Sequence, residues 1–211
     1  MTSDEFKKYW NYYMVLEKDT LDIEPFVSFH PENFNCFSNE FVKLYQIICS
    51  EIDVICKEFC QYINDKKSAT ENYSNIIDYA RIILPEHSEL TAQKISVSGD
   101  IEFTLAPWIE WSADANDNSK NVSPKWWKQY NAVKHKRTSK DVNDKYNYQF
   151  ANLKNVLNAL AALCVIEKYF YADLAKDEAP FGKAPNTVLT PYSKLFGLLA
   201  FETGYLVLAG I

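Results

Sequence analysis

Between Ser123 and Arg137 the chain reads SPKWWKQYNAVKHKR, and this run holds the residues best suited to chemistry. On a helix turning about 100° per residue, Lys128 and His135 lie about 20° apart and Asn131 and His135 about 40° apart, so the three share one stripe. An imidazole is the side chain that ordinarily exchanges protons near neutral pH. His135 could move a proton at a ribose hydroxyl or a leaving oxygen, while Lys128, Lys134 or Arg137 offset phosphate charge. Asn131 would orient the imidazole or bind the scissile oxygen. Lys125 and Lys136 extend the basic set, and Trp127 and Tyr130 would place rings beside a bound anion or nucleic acid. Such chemistry needs neither metal nor cofactor. Trp126, Tyr130 and Val133 form the natural core side, with Trp127 between the two faces. A structural reading stands beside the chemical one. A histidine followed by Lys136 and Arg137 also compensates the negative pole of a helix, and the two tryptophans would then simply plug a core.

The charge balance sharpens the contrast. The 211-residue chain carries a net charge of −6, yet Asn121 to Lys140 contains six basic residues and no acidic one, which leaves −12 on the rest. That excludes a large nucleic-acid-coated surface but fits a local anion site on an acidic body. The five cysteines (Cys36, Cys49, Cys56, Cys60, Cys164) are odd in number and lack CxxC spacing. Buried free thiols are therefore expected rather than zinc ligands or disulfides, and the expected location is the cytoplasm. The N-terminus shows no basic, then apolar, leader pattern. The apolar stretch 195–211 contains Glu202 and Thr203 and is shorter than the ~20 residues a membrane helix needs, so a buried terminal strand or helix is expected and no membrane partner. Ser112 to Val122 is a solvated loop without the glycine and terminal glutamate of a calcium loop. P-loop, dinucleotide, nucleophile-elbow and HExxH patterns are absent from the sequence.

The elements that would hold the stripe are mostly helical. Thr2-Ser-Asp-Glu5 fits a capping box, and Phe6, Tyr9, Trp10, Tyr13 and Leu16 predict a helix to about Lys18. Leu21 to His30 reads as extended around Pro25. Phe41, Tyr45, Ile48, Ile52, Ile55, Phe59 and Tyr62 step by 4 and 3, predicting a long helix over 38–64 with one dedicated partner. A third helix follows with Tyr73, Ile76, Ile77, Ala80, Ile83 and Leu84 inward. A hairpin insertion is predicted over 92–106, from the alternation of Ile95 and Val97 and of Ile101, Phe103 and Leu105 around Ser98-Gly99-Asp100. Ser123 would cap the next helix, with Pro124 at its first position. The longest helix is predicted over 148–175, its segment Ala159–Ile166 apolar on every side and hence central. Past the prolines at 180, 185 and 191, Phe196 and Leu198 alternate around Gly197 as an extended piece. The fold class is mostly α: one helical-bundle domain over 1–211, with a small β-hairpin and extended pieces near both termini.

The pattern Trp126-Trp127-x-x-Tyr130-Asn131-x-x-Lys134-His135-x-Arg137, followed by Asn155-x-x-Asn158-Ala159-x-x-Ala162-Leu163, resembles a group of bacterial proteins similar to the HEPN superfamily. That resemblance implies a HEPN-like helical bundle. Many members are metal-independent endoribonucleases of toxin–antitoxin, abortive-infection and CRISPR systems that act as homodimers. It assigns Asn131 to the motif's polar position and His135 to its histidine. The motif's arginine falls on Tyr130, so Lys128, Lys134 or Arg137 would supply the cation. RNA or a nucleotide is the implied ligand, and an antitoxin or defence-system component the implied protein partner. A non-catalytic binding module and an assembly subunit with a Tyr/Trp-rich interface remain the alternatives.

Overall fold

The computed structural model describes residues 1–99 and 102–198. Five helices and a small sheet surround one continuous hydrophobic core. The chain begins with α1 (Ser3–Leu21), closed by the expected capping box: the Thr2 hydroxyl accepts from Glu5 N at 3.2 Å, and Thr2 N donates to the Glu5 carboxylate at 2.8 Å. Leu21 to His30 is not extended. Amides of Asp22, Ile23, Glu24, Phe26 and Val27 reach back to carbonyls three or four residues earlier, so the chain leaves α1 through successive turns. Pro25 lacks only an amide hydrogen, and a turn tolerates that as readily as a strand does.

Helix α2 (Asn39–Lys67) is capped by Ser38, whose hydroxyl accepts from Phe41 N at 3.1 Å. The predicted seam is buried from Phe41 to Phe59, and Tyr62 at its end is half-buried. The buried surface is wider than the seam, because Leu44, Cys49, Cys56, Cys60 and Ile63 are covered as well. A single partner could not cover so broad a stripe. Helix α2 packs against α5 most extensively, and also against α1, α3 and α4. Helix α3 (Ile76–Ile83) starts later than Tyr73 because Asn75 caps it, accepting from Ile77 N and Asp78 N.

The hairpin forms where the period-two pattern predicts it. Strand β1 (Ile95–Val97) pairs antiparallel with β2 (Phe103–Leu105), Ile95 facing Leu105. Asp100 of the predicted turn and Ile101 of the predicted second strand lie outside the described residues. The extended piece near the C-terminus, β3 (Phe196–Leu198), lies on the other side of β1, so the sheet order is β2-β1-β3. The expectation for 199–211 also falls outside the described residues. Glu17, buried at 1% exposure, holds the approach to β3. Its carboxylate accepts from Lys194 N (2.9 Å), Leu195 N (3.3 Å), Tyr13 OH (2.9 Å) and the Ser193 hydroxyl.

Helix α5 (Leu153–Glu178) carries the continuous buried run Ala159–Ile166 through the centre, as its apolar girth requires. It starts five residues later than expected because Asn152 caps it, accepting from Asn155 N at 3.0 Å, while 147–150 forms a separate short turn; at 26 residues it is therefore not the longest helix, which is α2 with 29. Four of the five cysteines are buried and all five are free, whereas Cys36 is exposed. No helix among the described residues is long and apolar enough to cross a membrane.

Candidate functional site

Helix α4 (Lys125–Lys136) bears the predicted stripe, and its placement explains why its two faces differ. Trp108, Trp111, Trp126 and Trp127 form a chain of ring contacts at its N-terminal end. An indole N–H loses water on burial and must find an acceptor. Trp126 donates to Pro107 O at 2.7 Å, Trp108 to Ala162 O at 3.1 Å and Trp111 to Ile76 O at 2.8 Å. From α2, the Tyr45 hydroxyl donates to Trp126 O. The start of α4 differs from the Ser123 cap predicted. Pro124 occupies the cap position, and the free Lys125 amide donates to the Glu110 carboxylate at 2.6 Å. Glu110, 15 residues away, supplies negative charge at the positive pole of the helix, as a local capping serine would have done. At the other end Asn147 donates to Lys136 O at 2.8 Å, and the amide of Tyr148 to Arg137 O at 3.1 Å. The loop after α4 is thereby folded back on the helix.

With both ends fixed, helical geometry brings Lys128, Asn131 and His135 to one side, as expected. Lys128 and His135 are exposed and Asn131 is half-buried. Lys134, Lys136 and Arg137 surround His135 and are also exposed. Lys134 Nζ sits 5.5 Å from the centre of the Tyr130 ring. Among the described residues Lys125, Lys128, Lys134, Lys136 and Arg137 form no ion pair, whereas Lys140 is held by Asp144 at 2.7 Å.

The three histidines separate by role. His30 Nδ1 accepts from Glu32 N at 3.1 Å and caps a short turn. His87 is buried at 8% exposure, its Nε2 2.9 Å from Asp173 Oδ2, between the Phe59 and Tyr169 rings. His135 alone has no hydrogen-bond or ion-pair partner among the described residues. Spacing could not rank the three, because these partners of His87 lie on α2 and α5, far away in the sequence.

Three members of the expected contact set lie apart from the stripe. Trp127 and Tyr130 are buried, at 7% and 4% exposure, and pack on each other, with Tyr130 also against Tyr45. Burial pushes the Tyr130 phenol up to about 12. Neither ring offers a face to a ligand, because α2 covers that side of α4. Lys125 is exposed but belongs to another face, where it lines a cleft with Gln129. Gln129 lies about 120° around the helix from His135.

That cleft, with a volume of about 560 Å³, lies between α4, the start of α5, the 106–110 segment and the loop after α4. Sequence inspection missed it because its residues come from widely separated segments. Asn155, prominent in the family-like pattern, is 6% exposed, and its amide donates to Gln129 Oε1 and to Phe150 O, each at 2.7 Å. It therefore braces α4 against α5. No group of three metal-ligating side chains occurs among the described residues. Compared with known proteins, the chain matches no family model, no curated protein and no solved structure.

Proposed function

We propose that the polar stripe of α4 acts on RNA, as a HEPN-like endoribonuclease of bacterial defence or toxin type that needs no metal. The observation carrying this reading is His135: an outward imidazole with no internal partner among the described residues, flanked by unpaired cations in the +6 segment. In the proposed step His135 takes the proton of a ribose 2′-hydroxyl. The oxygen attacks the adjacent phosphorus, the bond to the 5′-oxygen breaks, and that leaving oxygen takes a proton from an imidazolium. Lys128 and Arg137 offset the charge gathering on phosphate, and Asn131 holds the ring or the scissile oxygen. A homodimer pairing two copies of α4 would bring a second His135 to serve as that acid. His135→Ala should reduce EDTA-resistant cleavage of single-stranded RNA by roughly 10²–10⁴-fold. Equal cleavage by the variant, or none by the parent protein, would exclude the reading.

One observation favours a second reading. Tyr130, at the position where the resemblance expects arginine, is buried, so the stripe would bind RNA, a nucleotide or an acidic protein partner without turnover. Lys128→Glu with Arg137→Glu should then weaken binding and lower the salt slope for single-stranded RNA by roughly 1.4. Binding that ignores salt would contradict it.

A further inference from the structure

The cleft on the other side of α4 has a composition of its own. Six carboxamides line it: Asn35, Gln129, Asn143, Asn152, Asn155 and Asn158. Asn152 and Asn155 are more than nine-tenths buried, at 7% and 6% exposure, so the polar floor is built into the fold rather than scattered on the surface. Several of these groups retain bonding capacity. The Gln129 NH2 and Asn155 Oδ1 have no partner among the described residues, although the Gln129 carbonyl and the Asn155 NH2 are joined at 2.7 Å. Asn158 donates to Lys154 O at 2.8 Å, and its carbonyl oxygen has no such partner.

Three lysines border the same cleft, Lys125, Lys145 and Lys154, and none forms an ion pair among the described residues. The two carboxylates there are committed to backbone amides: Glu110 to Lys125 N at 2.6 Å, and Asp141 to Asn143 N and Lys145 N, each at 2.9 Å. Those bonds, the one from Lys145 N first, together with the nearby Lys145 charge hold the Asp141 carboxyl below its ordinary range. The two aromatic rings of the lining are also engaged. Lys145 Nζ lies 5.2 Å from the centre of the Phe150 ring, and Trp126 is 5% exposed within the tryptophan chain. A flat base would find little to stack on, whereas a hydroxyl both donates and accepts, as a carboxamide does. The volume falls within the range of about 300–1,000 Å³ usual for small-molecule sites.

We infer that this cleft binds a free phosphorylated sugar, the carboxamides of Gln129, Asn155 and Asn158 meeting its hydroxyls and Lys125 and Lys154 its phosphate. This site is separate from the His135 stripe and does not depend on the RNA reading. Titration calorimetry of the full chain with ribose 5-phosphate tests it. Saturable binding with Kd below about 1 mM is expected, with ribose alone and inorganic phosphate alone at least tenfold weaker. Lys125→Ala with Lys154→Ala, both at exposed positions, should weaken ribose 5-phosphate at least tenfold, and Asn158→Ala should weaken it further. The assignment is overturned if no binding occurs, if inorganic phosphate binds as well as the sugar phosphate, or if the variants bind normally. An RNA trinucleotide binding tenfold more tightly would also overturn it, by assigning the cleft to a nucleic-acid backbone. No RNA cleavage enters the sugar-phosphate titration, so the two readings fail separately.

Discussion

Glu167 shows how much a single residue can work against the fold. It lies on α5 with no exposure, and neither carboxylate oxygen has a hydrogen-bond partner among the described residues. Burial, helped by the nearby Glu51, raises its carboxyl well above the ordinary range, so the folded protein holds it protonated. The unfolded chain releases that proton near its usual pKa, so stability from this group is full in acid and is lost as pH rises above about 4.5. Glu167→Met should therefore stabilise the protein at pH 7 by on the order of 1 kcal/mol, a rise of roughly 2–4 °C in Tm, with the gain shrinking below about pH 4. Thermal melts at the two pH values check this, and a gain that grows in acid would contradict it. Glu17 is the opposite case, a buried carboxylate with four donors. Glu17→Ala should cost roughly 1–3 kcal/mol through donors left unpaired, measured by urea unfolding.

At the scale of elements, legibility followed the range of the interactions involved. The capping box of α1, the α2 seam and the buried run in α5 depend on neighbours within one helix, and each was readable from spacing. Strand β3 was readable from only three residues, because Phe196 and Gly197 alternate against a β1 that itself alternates. The start of α4 was not, since its capping group is Glu110 rather than Ser123. The width of α2 was underestimated for a similar reason, its extra partners being set by tertiary packing. Within the stripe, spacing placed Lys128, Asn131 and His135 together, but it could not show that α2 covers Trp127 and Tyr130. Leu160, at the fully enclosed centre of α5, gives the strongest element-level prediction. Leu160→Asp should abolish cooperative unfolding and near-ultraviolet dichroism, because a charge there has no partner and loses a side chain's burial worth about 1.5–3 kcal/mol. A native-like melt would show that α5 is not the central helix.

At the scale of the whole molecule, one acidic body carries a basic helix whose two outer faces differ in chemistry. Four thiols lie in the core and Cys36 outside, and burial pushes the Cys49, Cys56, Cys60 and Cys164 thiols up. Iodoacetamide should accordingly label one cysteine per native chain quickly and all five only after unfolding; rapid labelling of two or more in the native state would contradict this core. The RNA reading rests on the free imidazole of α4, and the separate engagement of the other two histidines makes it observable. The decisive measurement follows the three imidazole resonances by NMR while a non-cleavable 2′-O-methyl oligoribonucleotide is added at low salt. His135 and the Asn131 side-chain amide should shift together and saturate, with His30 and His87 unmoved. Saturation that leaves His135 unmoved would place the nucleic acid elsewhere and contradict the assignment of α4.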